Sequence, residues 1–451
     1  MDISDLLAKN PACLSVDEEE LLVELAGTAS FTPGRLFDAR AFDPMLRLYD
    51  DGLEAIVEDT VCRSFSNSRY HSAAFEACSA LFGNLLAATG TSGDDWVRIR
   101  KQNGSYRLAG RYGTRAFGSK IINGLVDGLH ESQALEVRNG FYNRANGQGY
   151  QTRIRLRGDL KRRVCDAPGE RLKRLPAELI VLKNEDGRKI DYKETAISKA
   201  HRALVMAANE FLDHNCISPP GDLSVSLIER LRGYGTDPTR GHYHRVFNGT
   251  FELGGRFFGP WWQQTPSAER LAIKINGEPV VELDFQAMNL HLAYSLAGST
   301  AWDRFPESTD PYMLPGYKKE HRTALKMAFL FCLNSKSPEQ AVKVIRSDAA
   351  REGYSIRGLN LKAMVAKIRS RHPCLDGLLF GRSGLKLMAL ESRITERILS
   401  WCLQREICSL NIHDGYVVPA SRAEELCEGM RLAFDSMGLC SIPDIHRESL
   451  R

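Results

Sequence analysis

Two aspartates end strand-like apolar runs in the second half of the chain. Asp284 follows Val280-Val281-Glu282-Leu283 and precedes Phe285. Asp414 closes Leu410-Asn411-Ile412-His413 and leads into Gly415-Tyr416-Val417-Val418. Between them a helical segment carries Arg322 and Lys326 at i and i+4, hence on one face. Two carboxylates able to share divalent cations, with two cations able to lie along a triphosphate, are the groups that phosphoryl transfer needs. Each has an ordinary reading when taken alone. A carboxylate at a strand end is usually a turn former, an Arg/Lys pair a solvated helix face, and a His-Asp dipeptide a packing pair. The weight lies in their order and in the elements that hold them.

Those elements are legible as patterns. The strand ending at Asp284 is followed by a helix through Asn289-Leu290-His291-Leu292-Ala293-Tyr294. The pattern predicts helices over His321–Asn334, Gly384–Gln404 and Ala423–Met437, with a hairpin around His413-Asp414. Further upstream it predicts helices around Val16–Leu25, Ala73–Ala88, Ala196–His214 and Ser224–Arg232. A loop at Thr89–Asp95, a chain break at Pro219-Pro220-Gly221, and a hairpin pairing Leu179–Leu182 with Lys189–Tyr192 complete the outline.

Length and composition bound the rest. At 451 residues the chain is long enough for two to four domains. It is 43% hydrophobic and 26% charged, the balance of a soluble globular protein, and no apolar run reaches membrane-spanning length. The acidic N-terminus lacks a signal pattern, and eleven scattered cysteines without a C-x-x-C argue for reduced thiols and against structural zinc. A cytoplasmic location with no membrane partner is expected. The net charge of +4 hides a block at 98–174 with 18 Lys/Arg against 6 Asp/Glu. So one-sided a block predicts a polyanionic partner. Within it, Ser119 is the expected N-cap of a helix through Ile121–Leu129. Strand-like pieces at Leu135–Arg138 and Gln151–Arg157 follow. Period-two alternation sets Arg153, Arg155 and Arg157 on one face, opposite Ile154 and Leu156. Helix then basic hairpin resembles a winged helix-turn-helix module, whose hairpin touches backbone phosphates.

The order of parts from residue 251 onward resembles the family A, DNA polymerase I-like polymerases and their relatives, the single-subunit phage-type RNA polymerases. The Gly-Arg…Gln-x-x-Pro stretch matches at Gly255, Arg256, Gln263 and Pro266, with Arg270 following. The first palm motif matches at Asp284 and Phe285, the fingers helix at Arg322 and Lys326, and the last palm motif at His413 and Asp414. The resemblance implies a multidomain α+β protein built as a right-hand polymerase with palm, fingers and small thumb. It implies that Asp284, Asp414 and the carbonyl of Phe285 hold two Mg²⁺ ions, or Mn²⁺. Lys326 and Arg322 would neutralise the incoming nucleoside triphosphate, and His413 would approach the primer end. Arg256, Gln263 and Arg270 would hold the DNA primer–template, as would Arg153, Arg155 and Arg157 from the basic module. The expected division is a helical region at 1–95, a winged-helix-like domain at 96–165, thumb-like connecting helices at 166–250, and palm and fingers at 251–451.

The sequence departs from the family at the sugar-selecting positions. Where DNA-polymerising members place a Glu five residues after the first Asp, this chain has Asn289. Where the fingers helix carries a Tyr eight residues after its Lys, it has Asn334, and Leu330 stands at the fourth position. Gly415 replaces the Glu that follows His-Asp. The expected activity is a template-directed DNA polymerase of a plasmid, phage or mobile element. Two alternatives stay open: a primase or RNA polymerase using rNTPs on a single-stranded template, and an inactive DNA-binding replication protein or regulator.

Overall fold

The computed structural model describes residues 40–42, 46–48, 51–65, 68–89, 96–102, 110–112, 118–143, 148–165, 172–174, 178–218, 241–299, 310–440 and 442–449. The expected helices at Val16–Leu25 and Ser224–Arg232, the break at 219–221 and the loop at 90–95 lie outside these residues. The chain forms two compact units, one of residues 1–178 with 224–239, the other of residues 179–223 with 240–451. Each combines helices with mainly antiparallel sheets, a multidomain α+β architecture. Among the described residues no helix is long and apolar enough to cross a membrane.

The first unit runs β1 (Arg40–Ala41), β2 (Leu46–Leu48), α1 (Asp51–Ser64), α2 (Ser68–Thr89), β3 (Val97–Ile99), α3 (Ser119–Glu131), β4 (Leu135–Arg138), β5 (Phe141–Asn143), β6 (Gln148–Tyr150), β7 (Thr152–Leu156), α4 (Gly158–Cys165) and β8 (Leu172–Arg174). Its main sheet has the order β1-β3-β7-β4, with β4 and β7 antiparallel from Leu135↔Leu156 to Arg138↔Arg153. Ile121, Ile122, Leu125, Val126 and Leu129 make the buried stripe of α3, at the spacing a half-buried helix requires. One core runs from Leu48 to Val164 and takes in residues on both sides of position 95. The N-cap of α3 is Gly118, not Ser119. The amides of Ile121 and Ile122 bond the Gly118 carbonyl at 2.9 and 3.2 Å, so the first turn closes one residue earlier and Ser119 is already helical.

On β7, Ile154 and Leu156 point into that core, and the arginines take the other face. That face is not an open basic strip. Trp96 is buried beneath it, with the guanidinium carbons of Arg155, Arg138 and Arg153 at 4.5, 4.7 and 5.7 Å from the indole ring. Glu136 on β4 accepts from Arg155 at 2.6 Å and from Arg157 at 2.9 Å, and pairs with Arg138. Burial alone would raise the Glu136 carboxyl, but the three arginines hold it below its ordinary value. A row of like charges on one strand repels itself, and a carboxylate on the neighbouring strand removes that cost.

The second unit runs β9 (Ile180–Lys183), α5 (Ala196–Asp213), β10 (Ile217–Ser218), β11 (His244–Asn248), β12 (Thr250–Phe258), α6 (Ser267–Arg270), β13 (Lys274–Ile275), β14 (Glu278–Phe285), α7 (Met288–Leu296), α8 (Arg322–Asn334), α9 (Pro338–Glu352), α10 (Leu361–Arg371), α11 (Gly384–Gln404), β15 (Leu410–Ile412), β16 (Gly415–Pro419), α12 (Ala423–Asp435) and β17 (Ile445–Ser449). Its larger sheet has the order β10-β13-β14-β16-β15, and β17 also pairs with β14. The smaller sheet is β12-β11-β9. The expected 179–192 hairpin reduces to one bridge, Lys183↔Lys189, because β9 pairs in parallel with β11 instead. Ile180, Val181 and Leu182 are all buried, and a strand buried on both faces suits parallel pairing.

Candidate functional site

Asp284 sits near the end of β14, held in register from both sides. It pairs with Gly415 of β16 and with His446 of β17. His413 and Asp414 form the two-residue turn between β15 and β16, since Ile412 faces Gly415. A two-residue turn needs positive φ, and His413 supplies it at +60°. The Phe285 amide donates to the Asp414 carbonyl at 3.3 Å, which ties the turn to the strand. A Cβ built on Gly415 would lie 3.4 Å from Oδ1 of Asp284, in ordinary van der Waals contact with the carboxylate.

The two carboxylates are half-buried and feel each other. Burial and then the Asp414 charge push Asp284 up to about 7, against the opposing pull of Lys326. Asp414 is raised by burial as well, opposed by its own amide, Arg256 and Lys326. Near neutral pH the pair therefore tends to keep a proton. Glu282 lies two residues before Asp284, but it is already neutralised. Arg270 grips it through Nη2 at 2.5 Å and Nε at 3.1 Å, and Ser267 donates at 3.2 Å.

Cationic groups border the pair from α8. Lys326 is exposed, and its charge reaches both aspartates. Arg322, one turn earlier, is paired with Asp310 and sits 6.0 Å from the Tyr312 ring. Tyr312 is a residue that motif reading missed. It is buried edge-on against Phe329, and its hydroxyl is raised by burial, then by Asp414, with Asp310 and Asp284 adding to it. Lying in the field of both site aspartates, it is a site neighbour. It comes from the loop before α8, where no periodic pattern singles it out.

His413 accompanies Asp414 with its Nδ1 buried and without a hydrogen-bond partner. Burial, then Arg256 and Arg270, lowers it to about 4, so the imidazole is neutral at physiological pH. Its ring meets Phe258 edge-on at 5.6 Å. The Phe285 ring packs against Phe434 in the core, so a metal ligand from this residue has to come from its main chain.

The residues expected to hold primer and template make these contacts within the unit. Arg256 donates to both oxygens of Glu391 on α11, at 2.6 and 2.5 Å, and Glu391 is 1% exposed. Gln263 uses its whole amide on main chain. It accepts from Gly259 at 3.1 Å and donates to Phe257 at 3.0 Å and Asn411 at 3.2 Å. Arg270 is spent on Glu282 and on the Thr265 carbonyl at 2.6 Å. Gly255 has to be glycine, with φ at +88° and a built Cβ 2.7 Å from Ser392 Oγ. Its carbonyl accepts from Ser392 and from Arg245, a buried arginine that also pairs with Glu396. Arg153, Arg155 and Arg157 belong to the other unit.

The positions expected to bear on sugar choice are Asn289, Asn334 and Leu330. Asn289 is half-buried on α7. Asn334 ends α8, donating to the Leu330 carbonyl at 2.8 Å, and its Oδ1 would lie 1.8 Å from a Cβ on Gly384. Leu330 packs against the core.

No protein-family profile matches the chain, and no curated protein matches it. Among solved structures it is similar to the POL domain of Pol1 from M. smegmatis, described in complex with DNA primer-template and dNTP. The identity is 14% and the TM-score 0.26, over 46% of this chain and 47% of that one, so the chain spans about half its length.

Proposed function

We propose that the second unit is a template-directed nucleic acid polymerase, joining nucleotides at a primer end by nucleotidyl transfer, with DNA the favoured product. The observation that carries this reading is the juxtaposition of Asp284, near the end of β14, with Asp414 in the turn that leads into its partner strand β16, with Lys326 charging the same space. Two facing carboxylates that resist joint ionisation suit a hard divalent cation, whose charge would relieve their repulsion. Asp284, Asp414 and the main chain of Phe285 are the groups that would hold Mg²⁺. When bound, the metal would supply acidity to the attacking hydroxyl and charge stabilisation at the transferred phosphate.

The rest is the work of side chains. Lys326 attracts the triphosphate and keeps Asp284 from rising further. Arg322 is exchangeable between Asp310 and a phosphate, since it is itself exposed and its present partner is a single half-buried carboxylate. Neutral His413 offers an uncharged ring beside Asp414. Arg256 and Glu391 brace β12 against α11 beside the Asp414 turn, a positioning role. The basic first unit is the proposed polyanion contact, its arginine face tempered by Glu136.

A second reading, a primase or RNA polymerase, is favoured by Asn334, whose amide is turned back onto its own helix. The test is incorporation of labelled nucleotide with Mg²⁺, offering dNTPs and rNTPs separately, with and without primer. Asp284→Asn and Asp414→Asn should abolish synthesis. Lys326→Ala should raise KM for the triphosphate by about 10-fold or more, the worth of one charge-assisted contact. Synthesis at wild-type level by both aspartate variants would dismiss the proposal. Salt-sensitive DNA binding with no incorporation of any nucleotide would leave a DNA-binding protein without polymerase activity.

A further inference from the structure

The first unit contains a second cluster of ligating groups, unrelated to the aspartate pair in chemistry. Glu58 and Cys62 stand one turn apart on α1, so they share a face. His71 reaches the same point from the first turns of α2. Cys62 Sγ lies 3.7 Å from Glu58 Oε1 and 3.7 Å from His71 Nε2, and His71 Nε2 lies 3.0 Å from Glu58 Oε1.

That triangle can be compared with one face of a tetrahedron. Zinc bonds of roughly 2.3 Å to sulfur and 2.0–2.1 Å to nitrogen or oxygen set ligand–ligand edges of about 3.5 Å to sulfur and about 3.3 Å between nitrogen and oxygen. The observed edges differ from these by a few tenths of an ångström, within reach of rotamer adjustment. The donor set is also informative. A thiolate and an imidazole favour a borderline-soft ion, and a single carboxylate is a poor substitute for the oxygen shell of Mg²⁺.

We propose that Glu58, Cys62 and His71 form a Zn²⁺ site that staples α1 to α2, with the fourth position open to water. This runs against the expectation of no structural zinc, which rested on motif spacing: Cys62 and His71 belong to no short Cys/His motif, and the third ligand is a glutamate.

The test uses the full chain with Zn²⁺ or Co²⁺ alone as probe, in excess Mg²⁺ to occupy hard oxygen sites. The expected result is one ion per chain and a thiolate-to-cobalt charge-transfer band. Cys62→Ser should abolish the band, and His71→Gln should weaken Zn²⁺ binding at least about tenfold. Cys216→Ser and Cys440→Ser, at the other exposed cysteines among the described residues, should change neither. Zn²⁺ should also protect Cys62 from alkylation while Cys216 and Cys440 stay reactive. No binding, or equal binding by the wild type, Cys62→Ser and His71→Gln, would overturn the proposal, as would alkylation of Cys62 unaffected by Zn²⁺.

Discussion

Replacing Asp284 by asparagine should make the metal-free protein more stable while removing its activity. The substitution keeps the shape of the side chain and deletes one of two facing charges. Burial and Asp414 raise the Asp284 carboxyl from 3.8 to about 7. Each pKa unit is worth about 1.4 kcal/mol, so ionising this group in the folded state costs up to about 4 kcal/mol relative to the unfolded chain. The group is only half-buried, and solvent screening reduces the measurable share to about 2 kcal/mol. Because the folded pKa is raised, the folded state holds a proton that the unfolded state releases. Stability from this group is therefore full below about pH 4, falls as pH rises from there to about 7, and stays low above. In EDTA at pH 8 the variant should exceed the wild type by about 2 kcal/mol, a rise of about 4–8 °C in melting temperature for a unit of this size. At pH 4 the two should coincide, and Mg²⁺ at pH 8 should stabilise the wild type far more than the variant. Trp261, Trp262 and Trp401 place fluorescent reporters in this unit, and with Trp96 of the first unit replaced by Phe in both proteins urea titrations read its transition. A variant less stable than the wild type at pH 8, or a difference that is the same at pH 4 and pH 8, would refute the reasoning.

Other predictions concern the frame and the basic unit. Arg256→Ala leaves Glu391 as a buried unpaired charge and should cost about 3–5 kcal/mol in denaturant titrations, most of it recovered in Arg256→Met with Glu391→Leu; an unchanged unfolding midpoint in the single variant would count against the bracing role. Gly384→Ala drives a methyl into Asn334 and should cost about 1–3 kcal/mol, relieved by Asn334→Ala in a double-mutant cycle. Glu136→Gln releases Arg155 and Arg157, so DNA binding should tighten and its log–log salt slope steepen by about one to two; identical slopes would show that these arginines do not face the polyanion.

The sequence was informative where chemistry and periodicity coincide. Val280–Leu283 alternates little because all four residues are buried, so both faces of β14 are covered, yet its apolar run and the aspartate that follows marked it as a strand. Arg322 and Lys326 fall on α8, and Gly384–Gln404 is one helix as its pattern predicts. What stayed hidden is pairing over distance. Nothing local says that Arg256 will meet Glu391, 135 residues later, or that Glu136 will gather three arginines. A basic residue in a motif reads the same whether it waits for a phosphate or is already answered by a carboxylate. The parallel pairing of β9 with β11 escaped for a similar reason: a nearby turn suggested a hairpin, and the better partner lay far along the chain.

The position of β14 between β16 and β17 also dictates when the site can exist. Its two partners come from residues 415–419 and 445–449, more than a hundred residues downstream. Contacts so distant in sequence close late and slowly. During synthesis the ribosome must release nearly the whole of this unit before Asp284 acquires either neighbour. A truncated nascent chain would carry the basic first unit, able to fold around its own core, without an assembled carboxylate pair. Under the proposed function, polyanion binding by the first unit would thus precede any capacity for chemistry on each newly made molecule.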